Sequence, residues 1–123
     1  MFKYADSHEW VKVEGKVATI GISEYAAEHL GDVIFAELPA VGKSFKKGDK
    51  LVDLESVKAV AEVFAPVGGK VVEVNGDVEA NAGVINEAPQ AAGWIVKLEM
   101  SDPSELDGLM DEDAYHKFLS AQH

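Results

Sequence analysis

Apolar and polar residues alternate along Trp10-Val11-Lys12-Val13-Glu14 and again along Lys16-Val17-Ala18-Thr19-Ile20, with Glu14-Gly15 between them. A period of two marks a strand that buries one face, and the glycine-containing break predicts a hairpin. The same pattern returns in Leu51-Val52-Asp53-Leu54 and in Val60-Ala61-Glu62-Val63-Phe64, which predicts a second hairpin. Further strands are expected over 33–38, where Pro39 ends the run, over 70–75 after Pro66 and Gly68-Gly69, and over 93–98. Between the first hairpin and Val33 the period changes. Ser23 suits an N-cap, residues 24–30 a short helix and Gly31 its stop. Gly42 to Asp49 reads as a loop rich in turn residues, and the stretches after Asn81 and at Gln90-Ala91-Ala92 also read as loop. Near the C-terminus, Ser101 or Asp102 precedes Pro103 in a first helical turn. Residues 113–119 form a helix with Tyr115, Phe118 and Leu119 near one face.

Many short strands joined by Gly-rich turns predict a mainly β fold, a sandwich or flattened barrel with short helices, one of them C-terminal. A faint repeat agrees. Lys47-Gly48-Asp49 and Asn75-Gly76-Asp77 flank the second hairpin, each before an apolar segment. Two similar halves packed face to face would place such turns at opposite ends.

Composition narrows the function. A chain of 123 residues is one domain, 1–123, with enough apolar content for a core. No run of eighteen apolar residues is present, so no membrane-spanning helix is expected. Met1 to Asp6 lacks the apolar stretch of a signal peptide, which suits a cytoplasmic bacterial protein; a processed organelle protein would look similar. The absence of cysteine excludes disulfides, thiolate zinc sites and a cysteine nucleophile. With 22 acidic against 11 basic residues the formal charge is −11, a field that repels nucleic acid and anionic membranes. It suits docking onto basic partners, although solubility alone is the plainer reading of an acidic excess.

One residue stands out chemically. Lys58 falls at the tip of the second hairpin, within Glu55-Ser56-Val57-Lys58-Ala59. A lysine on a short turn points into water, a poor place to catalyse and a good place to be modified. Most hairpin-tip lysines only solubilise or blunt a sheet edge, so the hairpin alone does not establish modification.

The surrounding sequence adds a resemblance. Ser7-His8-Glu9-Trp10-Val11, Ala18-Thr19-Ile20-Gly21-Ile22-Ser23, His29-Leu30-Gly31-Asp32-Val33 and Glu37-Leu38-Pro39 match, in order and spacing, the glycine cleavage H-protein family. So do Val41-Gly42, Glu55 to Ala59, Ala65 to Val71, Glu73-Val74-Asn75, Ile85 to Pro89 and Gly93-Trp94. The chain resembles that family along nearly its whole length. It departs at Ala82-Gly83-Val84, where the family usually carries a proline and a leucine nearby, and at Gln90-Ala91-Ala92. Biotinyl domains usually flank their lysine with methionine, and lipoyl domains of 2-oxoacid dehydrogenases usually carry Asp before it. Here Val57 and Ala59 are the neighbours.

The resemblance implies the flattened β-barrel or sandwich of lipoyl and biotinyl carrier domains (the barrel-sandwich hybrid). It implies a carrier with no catalytic residues of its own and lipoate joined covalently to Lys58 by a lipoylating enzyme. Glu55, Ser56, Val57 and Ala59 would complete the attachment motif. Its implied partners are the pyridoxal-phosphate glycine decarboxylase (P protein), the folate-dependent aminomethyltransferase (T protein) and the flavin enzyme dihydrolipoyl dehydrogenase (L protein). The arm would take the aminomethyl group of glycine from the first to the second and electrons to the third. Ser7, Glu9, Ile22, Ala26, His29 and Leu30 match a surface cleft beside the arm, where Glu9 would accept hydrogen bonds from the amino group. The implied oligomeric state is a monomer, in the cytoplasm or, for a processed eukaryotic form, the mitochondrial matrix.

Plainer readings stand beside these. His29 would equally serve the end of its helix, and Ser7 would only shape a turn. Trp10 and Trp94 read as packing residues, and Lys43, Lys46, Lys47 and Lys50 as a solvated loop. His8 with Glu9, and the scattered His116 and His123, lack the partners of a metal site. Two other functions remain open: a lipoyl relay that donates the group to 2-oxoacid dehydrogenases, and an unmodified adaptor that binds proteins through its acidic face.

Overall fold

The computed structural model describes residues 2–121. His123 therefore lies outside the described residues. The first sequence hairpin forms as expected, from β2 (Glu9–Glu14) and β3 (Val17–Ile22), turning at Gly15, whose φ of +62° is the left-handed value that favours glycine. Ahead of it, β1 (Phe2–Tyr4) pairs with β2, a strand too short to betray itself by alternation. Helix α1 (Glu24–Leu30) follows, its N-cap Ser23 accepting from the Ala26 N–H.

Beyond α1 come β4 (Val33–Glu37), the two-residue β5 (Ser44–Phe45) and the second hairpin, β6 (Lys50–Ser56) with β7 (Val60–Phe64). Strand β8 (Gly69–Val74), short helices α2 (Gly76–Ala80) and α3 (Val84–Glu87), and β9 (Val96–Met100) complete the core elements. A 3-10 helix (Pro103–Gly108), capped by Asp102, leads to α4 (Glu112–Ala121).

The strands make two antiparallel sheets, ordered β1-β2-β3-β9-β8-β5 and β4-β6-β7. Val11, Ile20, Val71 and Leu98 from the first meet Val33, Leu54 and Val63 from the second in one buried core. A smaller cluster of Tyr4, Trp10 and Tyr115, joined by Phe118 and Leu119, seats α4 on the outside of β1. Phe118 and Leu119 thus share the predicted apolar face with Tyr115. Trp10 packs here and donates from Nε1 to the Pro89 carbonyl at 2.8 Å.

Bulges break strict alternation in three strands. The β4–β6 register shifts between Val33 and Phe35, so Ile34 and Phe35 both face outward. A shift between Lys50 and Val52 lets Leu51 and Val52 both be buried. A third, between Val71 and Glu73, turns Val72 and Glu73 out together.

The structure corrects several expectations. The Gly42–Asp49 loop contains β5, held by pairing to β8. The last strand begins at Val96, because Trp94 and Gly93 are spent on a turn whose Gly93 N–H reaches the Ala88 carbonyl at 2.8 Å. The segment after Asn75 is helical: Asn75 Oδ1 accepts from the Asp77 N–H and opens α2, while Gly48 leads into a strand. The two members of the sequence repeat therefore open different elements. No helix among the described residues is long and apolar enough to cross a membrane.

Candidate functional site: the Lys58 hairpin and its flanks

Ser56-Val57-Lys58-Ala59 closes the β6–β7 hairpin. The Ser56 N–H donates to the Ala59 carbonyl at 2.8 Å, and the buried Ser56 hydroxyl donates to that carbonyl at 3.1 Å. The same hydroxyl oxygen accepts from the Ala59 N–H at 3.1 Å and the Lys58 N–H at 3.3 Å. One serine side chain thus ties three backbone groups of the turn, while Val57, Lys58 and Ala59 are exposed. The Val57 N–H reaches across to the Asp32 carbonyl at 3.0 Å, so the tip is pinned to the α1–β4 connection. Glu55, exposed on β6, lies between Phe35 and Val60 on the neighbouring strands.

Gly31 completes this connection. With φ +79° and ψ −163° it occupies a conformation that is essentially glycine's alone. A Cβ there would meet Lys58 Cε at 3.3 Å and Nζ at 3.8 Å. The lysine side chain therefore lies along the bare backbone at the end of α1. Asn86 holds the same corner from α3, donating to the Gly31 carbonyl at 2.8 Å and accepting from the Val33 N–H at 2.8 Å. Sequence reasoning assigned no role to Asn86 or Asp32. Both act through a backbone joint between distant segments, which leaves no periodic signal.

The residues of the expected cleft fall into two groups. Ser7, Glu9 and Ile22 come together: Glu9 pairs with Ile22 across β2 and β3, and the Ser7 hydroxyl donates to Glu9 Oε1. Glu9 is only 2 % exposed, and its Oε2 accepts from the Phe64 N–H at 3.0 Å. Burial pushes its carboxyl above the ordinary value, partly offset by those two hydrogen bonds. Ser7, Glu9, Phe64, Pro66 and Met110 line a cavity of about 450 Å³. Ala26, His29 and Leu30 lie on α1. Ala26 and Leu30 are half-buried against the core, whereas His29 is exposed. The His29 ring stacks on Tyr25 at 4.0 Å, and its Nδ1 lies 2.9 Å from the Tyr25 carbonyl one turn back.

A C-terminal clamp joins these groups. Tyr115 Oη lies 2.7 Å from Ser23 Oγ and 2.8 Å from His8 Nδ1, while its ring stacks on Tyr4 at 4.3 Å. His8 is the one non-glycine with positive φ among the described residues, at +75°. Burial, then the nearby His29, lowers its imidazole below the ordinary value, with Asp6 opposing.

A two-sheet β sandwich that holds one exposed lysine on a braced hairpin tip defines a presentation module of the barrel-sandwich kind. Comparison with known proteins makes the class particular. The family model for the glycine cleavage H-protein matches residues 2–122. The chain is 52% identical over 119 residues to the glycine cleavage system H protein of Parvibaculum lavamentivorans, covering 97% of this chain and 95% of that one. It is 48% identical over 122 residues to the glycine cleavage system H protein of Thermotoga maritima, covering 99% and 98%. A mitochondrial H protein of Arabidopsis thaliana is 52% identical over 120 residues, covering 98% of this chain and 77% of that one. The crystal structure of an H protein from Mycobacterium marinum superposes with a TM-score of 0.86 at 28% identity, covering 98% and 95%. This chain belongs to the glycine cleavage H-protein family.

Proposed function

We propose that this protein is the lipoyl carrier of a glycine cleavage system, with lipoate joined to Lys58 Nζ as an amide. The observation that supports the attachment most directly is the Ser56-braced turn, which holds the lysine backbone fixed and leaves its side chain exposed. Once bound, lipoate supplies a disulfide that takes up a one-carbon unit and electrons. The chain itself contributes placement. Tethering at a hairpin tip raises the local concentration of the arm at whichever enzyme is docked. The P, T and L proteins and a lipoylating enzyme are the partners, and the carrier performs no chemistry of its own. Ser7, Glu9, Ile22, Ala26, His29 and Leu30 serve the loaded arm by excluding water, with Glu9 as hydrogen-bond acceptor. Glu9 accepts from the Phe64 N–H, and from Val60 to Phe64 the chain advances about 13 Å, so an arm rooted at Lys58 has to span at least the length of β7 to meet Glu9. The mainly bacterial relatives support a cytoplasmic setting, and the plant relative a mitochondrial counterpart.

Mass spectrometry after incubation with lipoate, ATP and a lipoate–protein ligase tests this reading. A lipoyl mass on the Lys58 peptide, absent from Lys58→Ala, is expected; an unmodified Lys58 beside a lipoylated control carrier would overturn it. Glycine-dependent bicarbonate exchange with the P protein then separates glycine cleavage from a relay role.

A further inference from the structure

We propose that the outer face of the β4–β6–β7 sheet, centred on the rung Phe35–Glu55–Val60, is the surface read by the enzyme that acylates Lys58. This inference rests on the reading of Lys58 as an acylation site.

Register puts the three residues side by side. Phe35 is opposite Glu55, and Glu55 is opposite Val60. Residues directly opposite across a sheet share a face. The neighbouring rung, Ala36, Leu54 and Ala61, turns the other way, with Ala36 and Leu54 buried in the core. Phe35 is 55% exposed and Val60 65%; Val57, on the turn itself, is 66% exposed. The bulge at Ile34 is what allows Phe35 to face solvent directly after another outward apolar residue. Large apolar side chains clustered on a small domain mark a contact surface when nothing in the chain covers them.

Reach and charge select the occupant. A bare lysine carries its amine only about 6 Å beyond its Cα. Val60, two residues along the strand, is about 7 Å away. An enzyme that brings its active site to Nζ before any arm exists must therefore cover Val57 and Val60. An enzyme that meets the end of a long attached arm has no such need. The acidic side chains set the partner's sign. Glu55 sits inside the apolar rung, and Glu37, Asp53 and Glu62 form the next outward rung, where only Asp53 has a close cation, Lys50 at 3.0 Å. The complementary surface is an apolar socket rimmed by basic side chains.

The test measures initial rates of Lys58 lipoylation by intact mass, with lipoate, ATP and a lipoate–protein ligase. Substrates are the wild type, Val60→Thr, Phe35→Thr, their double variant, and Val72→Thr as an exposed apolar control on the other sheet. Threonine has the β-branched shape a strand favours, and thermal melting confirms the fold. The double variant is expected to lose about tenfold in rate at low carrier concentration, recovering at saturation, with Val72→Thr unchanged. Val60→Thr alone, close to isosteric, is expected to show part of that loss even should Phe35→Thr fold poorly. Wild-type rates for the folded variants, or an equal loss in Val72→Thr, would overturn the proposal. A wild type that is not lipoylated at all would remove the underlying reading and this inference with it.

Discussion

The hydroxyl of Tyr115 stands 2.7 Å from Ser23 Oγ, so a residue of the C-terminal helix holds the side chain that caps α1. That cap is where the helix carrying Ala26, His29 and Leu30 begins. The same hydroxyl reaches His8, beside Ser7 and Glu9. Both sets of cleft residues are thereby referred to one phenol. Tyr115→Phe keeps the stack on Tyr4 and removes both hydrogen bonds, at an expected cost of about 1–2 kcal/mol. Ser23→Ala removes the cap as well, about 1 kcal/mol. Denaturant melts of both single variants and the double should reveal coupling, because the two residues share one interaction. Strict additivity would show that the clamp is not formed in solution.

His8 makes stability fall in mild acid. Its folded pKa lies below the ordinary 6.5, so the unfolded chain takes up a proton that the fold resists. Stability is undiminished above that value and is lost as pH falls from 6.5 towards the lowered one. The groups facing the ring are Tyr25, Tyr115, Phe118, His29 and Asp6. His8→Asn, which tolerates a positive φ, should remove that part of the loss. Melting temperature against pH for the two proteins is the comparison; parallel curves would refute it.

Glu9 acts over a more acidic starting point and in the opposite direction. A carboxyl whose folded pKa is raised from 4.5 binds its proton more tightly in the fold than in the unfolded chain. Wild-type stability should therefore decline, relative to Glu9→Gln, as pH rises from 4.5 through the raised value, and stay lower above it. In Glu9→Gln an NH2 donor replaces one of the two oxygens that accept separately from Ser7 and Phe64, which costs about 1 kcal/mol at every pH. Only the pH-dependent part identifies the buried carboxylate, and its absence in a melting series would count against this environment.

Gly31 holds the lysine corner in a backbone conformation that other residues adopt only under strain. At φ +79° and ψ −163° an alanine would be strained by about 1–3 kcal/mol. Its Cβ would also press on Lys58 Cε. Gly31→Ala should lower the unfolding free energy by that amount and move the Lys58 side-chain NMR signals. Unchanged signals would mean that the lysine does not rest there.

Local pattern determined a good deal of this protein. Both hairpins, the Ser23-capped helix with its Gly31 stop and the exposed tip at Lys58 follow from period, caps and turn chemistry, which act over a few residues. The family resemblance added the expected role of Lys58 and the members of the cleft. Tertiary structure decided the rest. The strand Phe2–Tyr4 and the pair Ser44–Phe45 exist because a partner strand pairs with them. The short helix Val84–Glu87 lies where the chain reads as loop, and Gly76–Ala80 is helical where the sequence shows only an apolar segment after a turn. The bulges in β4, β6 and β8 override alternation, because packing two sheets requires local shifts of register that no single strand encodes. Asn86 under Gly31, Tyr115 over Ser23 and the Phe35–Glu55–Val60 rung join residues far apart in sequence. Such contacts carry no period along the chain, and only folding brings their atoms within hydrogen-bond or van der Waals reach.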